Sequence, residues 1–103
     1  NLLTTQKIYL NAQLNREKVA EMLNISPGYL SQVLSKTEYK NLTAIINYYR
    51  VEEAKRLLRN SEFKNYSLVS VGLEVGFNSK STFYNTFKKQ TGLTPNEFKK
   101  QVL

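Results

Sequence analysis

Apolar side chains recur along this chain at three- and four-residue intervals, and nowhere do they alternate with polar ones for long enough to argue a strand. The pattern predicts an all-α fold. Residues 2–10 are expected to form a short first helix with Leu3, Ile8 and Tyr9 as its contacts. Asn15 then offers an N-cap for a helix over 16–23, with Val19, Ala20, Met22 and Leu23 on the buried side and Lys18 and Glu21 facing water. Asn24-Ile25 breaks it, and Ser26-Pro27 restarts a helix with a hydroxyl cap followed by proline at the first helical position. Leu30, Val33 and Leu34 point inward on this second helix, leaving Gly28, Tyr29, Ser31, Gln32 and Ser35 on its other faces.

A long helix is expected over 43–60, about 27 Å at the α-helical rise, through Ile45, Ile46, Tyr49, Ala54, Leu57 and Leu58. Its Arg50, Glu53, Lys55, Arg56 and Arg59 fall mostly outside that stripe. Residues 61–66 make a polar connection, and Ser67 caps a short helix over 68–75 with Leu68, Val71 and Val75 on one face. Gly76-Phe77 is the next break. Asn78 or Ser79 caps a helix over 80–90 carrying Phe83 and Phe87, Gly92 stops it, and Thr94-Pro95 opens a last helix through Phe98 and Val102.

Two parts of this map repeat each other: a short helix, a sharp turn holding one apolar residue, and a capped helix with two apolar residues four apart. Ala20 aligns with Gly72, Leu23 with Val75, Ile25 with Phe77, Leu30 with Phe83 and Leu34 with Phe87, the second turn being one residue longer. The small residues matter because two helices joined by a tight turn cross closely. This is the pattern of a helix-turn-helix, whose second helix enters the major groove while the first packs behind it. The outer faces of both second helices carry groups able to approach base edges: Ser31 and Gln32 in one, Lys80, Ser81, Thr82 and Asn85 in the other. Gln and Asn suit adenine, and Lys suits guanine O6 and N7. Lys36, Lys40, Lys88 and Lys89 lie at or beyond the ends of these helices, where phosphates would be met.

Composition narrows the chemistry. With 103 residues the chain is the size of one domain, and its net charge of +7 favours a polyanionic partner. It has no Cys and no His, and all eight acids are Glu. Thiol and Ser-His-Asp catalysis, disulfides and the usual zinc ligands are therefore excluded, so neither metal nor cofactor is expected and the reading is of a non-enzyme. Glu52 and Glu53 are the only adjacent acids, and neighbours on a helix point about 100° apart, which suits a solvated face better than an acid-base pair. No apolar run approaches the roughly 20 residues of a membrane span, and the start, Asn1 rather than Met, lacks a signal-peptide pattern. A cytoplasmic domain cut from a longer parent is expected, leaving open a membrane anchor elsewhere in that parent. Double-stranded DNA is the first partner to consider, and an acidic protein docked on a basic helical module is the alternative.

Several segments together resemble the DNA-binding domain of AraC/XylS-type bacterial transcription regulators. They are Val19-Ala20-Glu21-Met22-Leu23 leading to Ser26-Pro27-Gly28-Tyr29-Leu30-Ser31; Tyr49-Arg50-Val51 with Ala54 and Leu57-Leu58; Val75-Gly76-Phe77-Asn78-Ser79-Lys80-Ser81; Phe83; Phe87-Lys88-Lys89; and Thr91-Gly92-Leu93-Thr94-Pro95-Asn96-Glu97-Phe98. The likeness covers 9–99 without a gap. It implies one DNA-binding domain over 1–103, of about seven helices and homeodomain-like type, with helix-turn-helix subdomains at 16–36 and 68–89 joined by a linker helix at 43–60. The two recognition helices would occupy adjacent major-groove segments, with base-reading places at Gly28, Ser31, Gln32, Lys80, Ser81, Thr82 and Asn85. Also implied are a sensing or dimerising N-terminal region in the parent, transcription activation and contact with RNA polymerase. Tyr39 stands where the family pattern has Gly, and Leu34-Ser35 where it commonly has Phe-Lys. These departures and the side-chain-free Gly28 assign the first unit more to phosphate anchoring than to base reading.

Overall fold

Each helix of this chain starts at a side chain that supplies what the first turn lacks. In the computed structural model, which describes residues 6–38 and 41–102, six α-helices follow one another with no strand among the described residues. Asn15 Oδ1 accepts from the Lys18 amide at 2.8 Å to open α1 (Arg16–Leu23), and Asn24, left-handed at φ 59°, closes it. Ser26 Oγ accepts from the Tyr29 amide at 3.1 Å and opens α2 (Pro27–Leu34). Asn41 caps α3 (Leu42–Arg59), so the long helix begins one residue before the position the apolar pattern marks. Ser67 caps α4 (Leu68–Glu74), and Ser79 rather than Asn78 caps α5 (Lys80–Thr91), which Gly92 ends in the left-handed region at φ 82°. Thr94 and Glu97 cap each other ahead of α6 (Pro95–Val102), with the Glu97 amide donating to Thr94 Oγ1 and the Thr94 amide to Glu97 Oε1.

Two segments outside the α-helices differ from the expectation. Of the first helix expected over 2–10, the described part, 6–10, holds a 3-10 turn, Ile8–Leu10, entered through Lys7 at φ 51° and left through an extended Asn11; residues 2–5, with Leu2 and Leu3, lie outside the described residues. Its carbonyls are claimed from elsewhere: Arg50 donates to the oxygens of Tyr9 and Asn11. The connection over 61–66 is not purely polar, since Ser61–Phe63 forms another 3-10 turn whose Phe63 packs on the core.

The interior is divided unequally. A large core joins the C-terminal part of α3 to α4, α5 and α6 through Val51, Ala54, Leu57, Leu58, Val71, Val75, Phe77, Phe83, Phe87 and Phe98. A small one holds Val19, Ala20 and Leu30, with Ile8, Leu14, Ile25, Leu34 and Leu42 packed around it. Met22, Leu23 and Val33, expected inside, are 51%, 46% and 43% exposed. The contrast between the repeats gives the reason. Val75, the counterpart of Leu23, is fully buried because Leu10 joins its core and the Tyr9 carbonyl lies against Gly76, whereas the turn of the first pair lacks such a cover among the described residues. Arg50 and Glu53, expected outside, are buried, at 8% and 9% exposure.

The helix crossings carry the small residues that the repeat demands. Ala20 is buried at 1% exposure, and a Cβ on Gly72 would lie 2.6 Å from Phe83 Cδ2, so α4 meets α5 at a distance that only glycine allows. The extents are 43 × 23 × 22 Å, with the second helix pair packed on α3 and the first pair's core meeting α3 at Leu42.

Candidate nucleic-acid interface

α5 is fixed by its aromatic inner face. Phe83 and Phe87 are wholly buried, and their rings meet edge to face with centroids 5.9 Å apart. Phe77 packs on Phe83 and Phe98 on Phe87, closing a chain of rings beneath the helix. Locking that face turns the opposite one to solvent. At about 100° per residue, Ser81, Thr82, Asn85, Lys88 and Lys89 share one stripe, and all five are exposed. The helix has no acidic residue, and Lys88 and Lys89 occupy its last turn. Lys80 is not part of this stripe: it projects to one side, with Nζ 5.2 Å from the centre of the Tyr84 ring. Thr82 Oγ1 is engaged by the capping Ser79 hydroxyl at 3.0 Å, which leaves Asn85 at the stripe's centre.

α2 presents a leaner face. Leu30 is buried, and Gly28, Tyr29, Gln32, Ser35 and Lys36 are exposed on the far side. Ser31 is partly covered and its hydroxyl accepts from Arg16 Nη1 at 3.1 Å. Gln32 therefore stands as the one long polar side chain of this helix's outer surface, with Tyr29, 56% exposed, beside it. Lys40, expected at a phosphate, lies outside the described residues, as does Tyr39. Arg16 was not marked by the sequence pattern. It sits at the start of the packing helix, and only the fold of α1 onto α2 brings its guanidinium to Ser31.

Glu17 pairs with Arg16 at 3.6 Å beside Ser31, and the acids of α3 are tied to cations on their own helix. Glu52 pairs with Lys55 at 2.7 Å, and Glu53 receives both Arg56 Nε and Nη2, at 2.9 and 2.8 Å, with Lys7 at 3.4 Å. The Arg56 hydrogen bonds hold the Glu53 carboxyl below the usual carboxylate value despite its burial. The one adjacent pair of acids is thus tied into ion pairs. No group of three or more metal-ligating side chains occurs among the described residues. A groove between the start of α3 and the end of α5 is lined by Asn41, Thr43, Ala44, Asn47, Thr86, Lys89 and Gln90.

A family model described as "Helix-turn-helix domain" matches residues 19–101. The chain belongs to the AraC/XylS-type helix-turn-helix family. Within it, the chain is 35% identical over 88 residues to the HTH-type transcriptional regulator YijO of Escherichia coli, covering 85% of this chain and 30% of that one. It is 29% identical over 94 residues to the regulatory protein PocR of Salmonella typhimurium, covering 91% and 30% respectively. The chain therefore spans under a third of the length of either relative. Among solved structures, the C-terminal domain of AraT, a response regulator from Geobacillus stearothermophilus, superposes with a TM-score of 0.80 at 29% identity, covering 93% of this chain and 77% of that one. Within the matched span lie the helix pairs α1–α2 and α4–α5, with α3 between them in the chain. The matched span leaves out residues 7–14, which pack on both cores.

Proposed function

We propose that this chain is the DNA-binding output domain of a transcription regulator, with 16–36 and 68–89 as two reading units on either side of the linker at 43–60, all within one domain over 1–103. The observation that carries this reading is the acid-free stripe of α5, Ser81, Thr82, Asn85, Lys88 and Lys89, held outward by a buried aromatic face. Asn85 is assigned to adenine through N6 and N7, with Ser81 and Thr82 beside it. Lys88 and Lys89 are assigned to phosphates, as is Lys36 at the end of α2. Gln32 is the base reader of the first unit, and Ser31 acts there through the Arg16 it holds. Lys80 reaches guanine only by leaving the Tyr84 ring. Lys40 completes the phosphate set.

The chain is read as a binding module rather than an enzyme, a reading supported by its lack of Cys, His and Asp. A place in the cytoplasm, an N-terminal sensing or dimerising region, transcription activation and contact with RNA polymerase belong to the same proposal. None of the described helices is long and apolar enough to cross a membrane.

Selection of binding sites from random duplexes, followed by footprinting and salt titration, tests the reading. Two protected major-groove segments per chain are expected, with log K falling linearly in log salt by about 0.9 per phosphate neutralised. Asn85→Ala should relax preference at its position by about 1–3 kcal/mol, and Lys80→Ala by less. Lys89→Ala should weaken all sequences alike and reduce the salt slope by about 1. Equal losses on selected and random DNA for all three variants would refute the division of roles. Weak, sequence-independent binding beside tight binding to an acidic protein would favour the alternative docking function.

A further inference from the structure

Two recognition helices read a duplex together only if something fixes one relative to the other. α3 connects them covalently and reaches the first unit's core through Leu42, and that core is small, with Val19, Ala20 and Leu30 buried among the described residues. A second connection is present in residues 7–14. Ile8 and Leu14 pack on the first unit's core, while Leu10 packs on the second's. Between these anchors the backbone is held by polar bonds: Arg50 Nε donates to the Tyr9 carbonyl at 2.6 Å and Nη2 to the Asn11 carbonyl at 2.9 Å, and Asn78 Nδ2 reaches the Ala12 carbonyl at 3.4 Å. The Tyr9 ring stacks on Tyr49 of α3, with centroids 5.8 Å apart.

Arg50 is placed for geometry rather than for charge. It is buried in α3, its hydrogen bonds go to two backbone carbonyls rather than to a carboxylate, and its guanidinium lies 5.8 Å from the Phe77 ring in the turn of the second unit. Burying a cation without a countercharge is costly, and a planar fork of donors aimed at two separate carbonyls is something an ammonium cannot reproduce. The facing turn is built for the same approach: Gly76, at φ 104°, would place a Cβ 2.5 Å from the Tyr9 oxygen and 2.7 Å from Arg50 Nε. Strap, linker helix and second turn therefore meet at one guanidinium.

We infer that residues 7–14 are a strap that fixes the relative placement of the two helix-turn-helix units, with Arg50 as its positioning residue, and that this joint sets the spacing of DNA segments the chain accepts. The inference rests on the DNA-binding reading for its consequence, but its structural half stands apart from DNA.

That independence decides the test. The chain has no cysteine, so spin labels at Glu21→Cys in α1 and Glu74→Cys in α4, both exposed, report the distance between the units directly. A narrow distribution is expected in the otherwise unaltered chain and a broad one with Arg50→Met. On duplexes carrying both selected segments, Arg50→Met should lower affinity roughly tenfold through lost preorganisation, leave affinity for a single segment within about twofold, and tolerate one or two inserted base pairs that the unaltered chain rejects. Asn78→Ala, which removes only an exposed bond to the strap, should shift the distance distribution and spacing profile the same way by a smaller amount, and it keeps the test decisive if Arg50→Met fails to fold. An unchanged distance distribution in a folded variant overturns the strap whatever the DNA results. A broadened distribution with an unchanged spacing profile overturns its role in DNA spacing. Absence of selective duplex binding by the unaltered chain refutes the DNA-binding reading and leaves the distance measurement to judge the strap alone.

Discussion

Gly72, in the first helix of the second pair, and Gly28, in the second helix of the first pair, show how one residue type takes opposite roles. At Gly72 a methyl group would meet the Phe83 ring at 2.6 Å, and that ring is fully buried among other rings. Gly72→Ala is therefore expected to destabilise the fold by about 1–3 kcal/mol through overpacking, outweighing alanine's better helix propensity. At Gly28 nothing lies within 4 Å of the added Cβ, and Gly28→Ala should stabilise by about 0.5–1 kcal/mol. Urea denaturation of the two variants reads both signs. Equal shifts would mean that the α4–α5 crossing is not tight.

Also at the residue scale, Glu53 links stability to pH. Its carboxyl is depressed below the ordinary 4.5, first by hydrogen bonds from Arg56 and then by the charges of Arg56 and Lys7, against the opposing effect of burial. A depressed carboxyl contributes stability that is present above its unfolded value and lost as pH falls through its folded value. Unfolding free energy should therefore hold from pH 7 to about 5 and decline below about 4.5. Glu97, depressed by the Thr94 amide and hydroxyl, acts in the same direction. Glu53→Gln should be less stable than the unaltered chain at pH 7 and converge on it near pH 3. Parallel pH profiles for the two proteins would count against this assignment.

At the scale of elements, the caps explain why such short helices hold. Isolated helices of this length are marginal in water, so each depends on its termini and on one packed face. α6 rests on the reciprocal Thr94 and Glu97 cap and on Phe98, against whose ring the Arg59 guanidinium lies at 5.3 Å. Thr94→Ala should cost about 1 kcal/mol by thermal or urea denaturation. Loss of the same magnitude on Thr94→Ser, which keeps the hydroxyl, would show that the cap is not the cause.

Over the whole molecule, the unequal cores predict unequal stability. The second unit shares a large core with α3 and α6, while among the described residues the first has Val19, Ala20 and Leu30, with Ile8 and Leu14 of the strap and Leu42 of α3 among the residues packed on them. Native-state hydrogen exchange should find the amides of α1 and α2 opening at lower free energy than those of α5 and the C-terminal half of α3. Arg50→Met should widen the gap. Uniform protection across both units would mean that they unfold as one body.

Local rules of the sequence determined a great deal. Asn15, Ser26, Ser67, Gly92 and Thr94-Pro95 act where an isolated reading places them, because a cap or stop depends only on bonds within a few residues. The repeat was legible for the same reason, its small residues and paired apolar positions being spacing rules of a helix pair. What tertiary structure alone decided is which apolar residues are covered and where long side chains go. Leu23 and Val75 are equivalent in sequence, yet only Val75 has Leu10 and the Tyr9 backbone at its turn. Arg50 looks like a solvated cation on a helix face, and it becomes buried only because carbonyls 39 and 41 residues away arrive to accept its protons. Lys80 lies beside the Tyr84 ring, a neighbour that helical spacing alone does not name. Periodicity fixes the direction in which a side chain leaves its helix, and the partner it finds there is a property of the assembled chain.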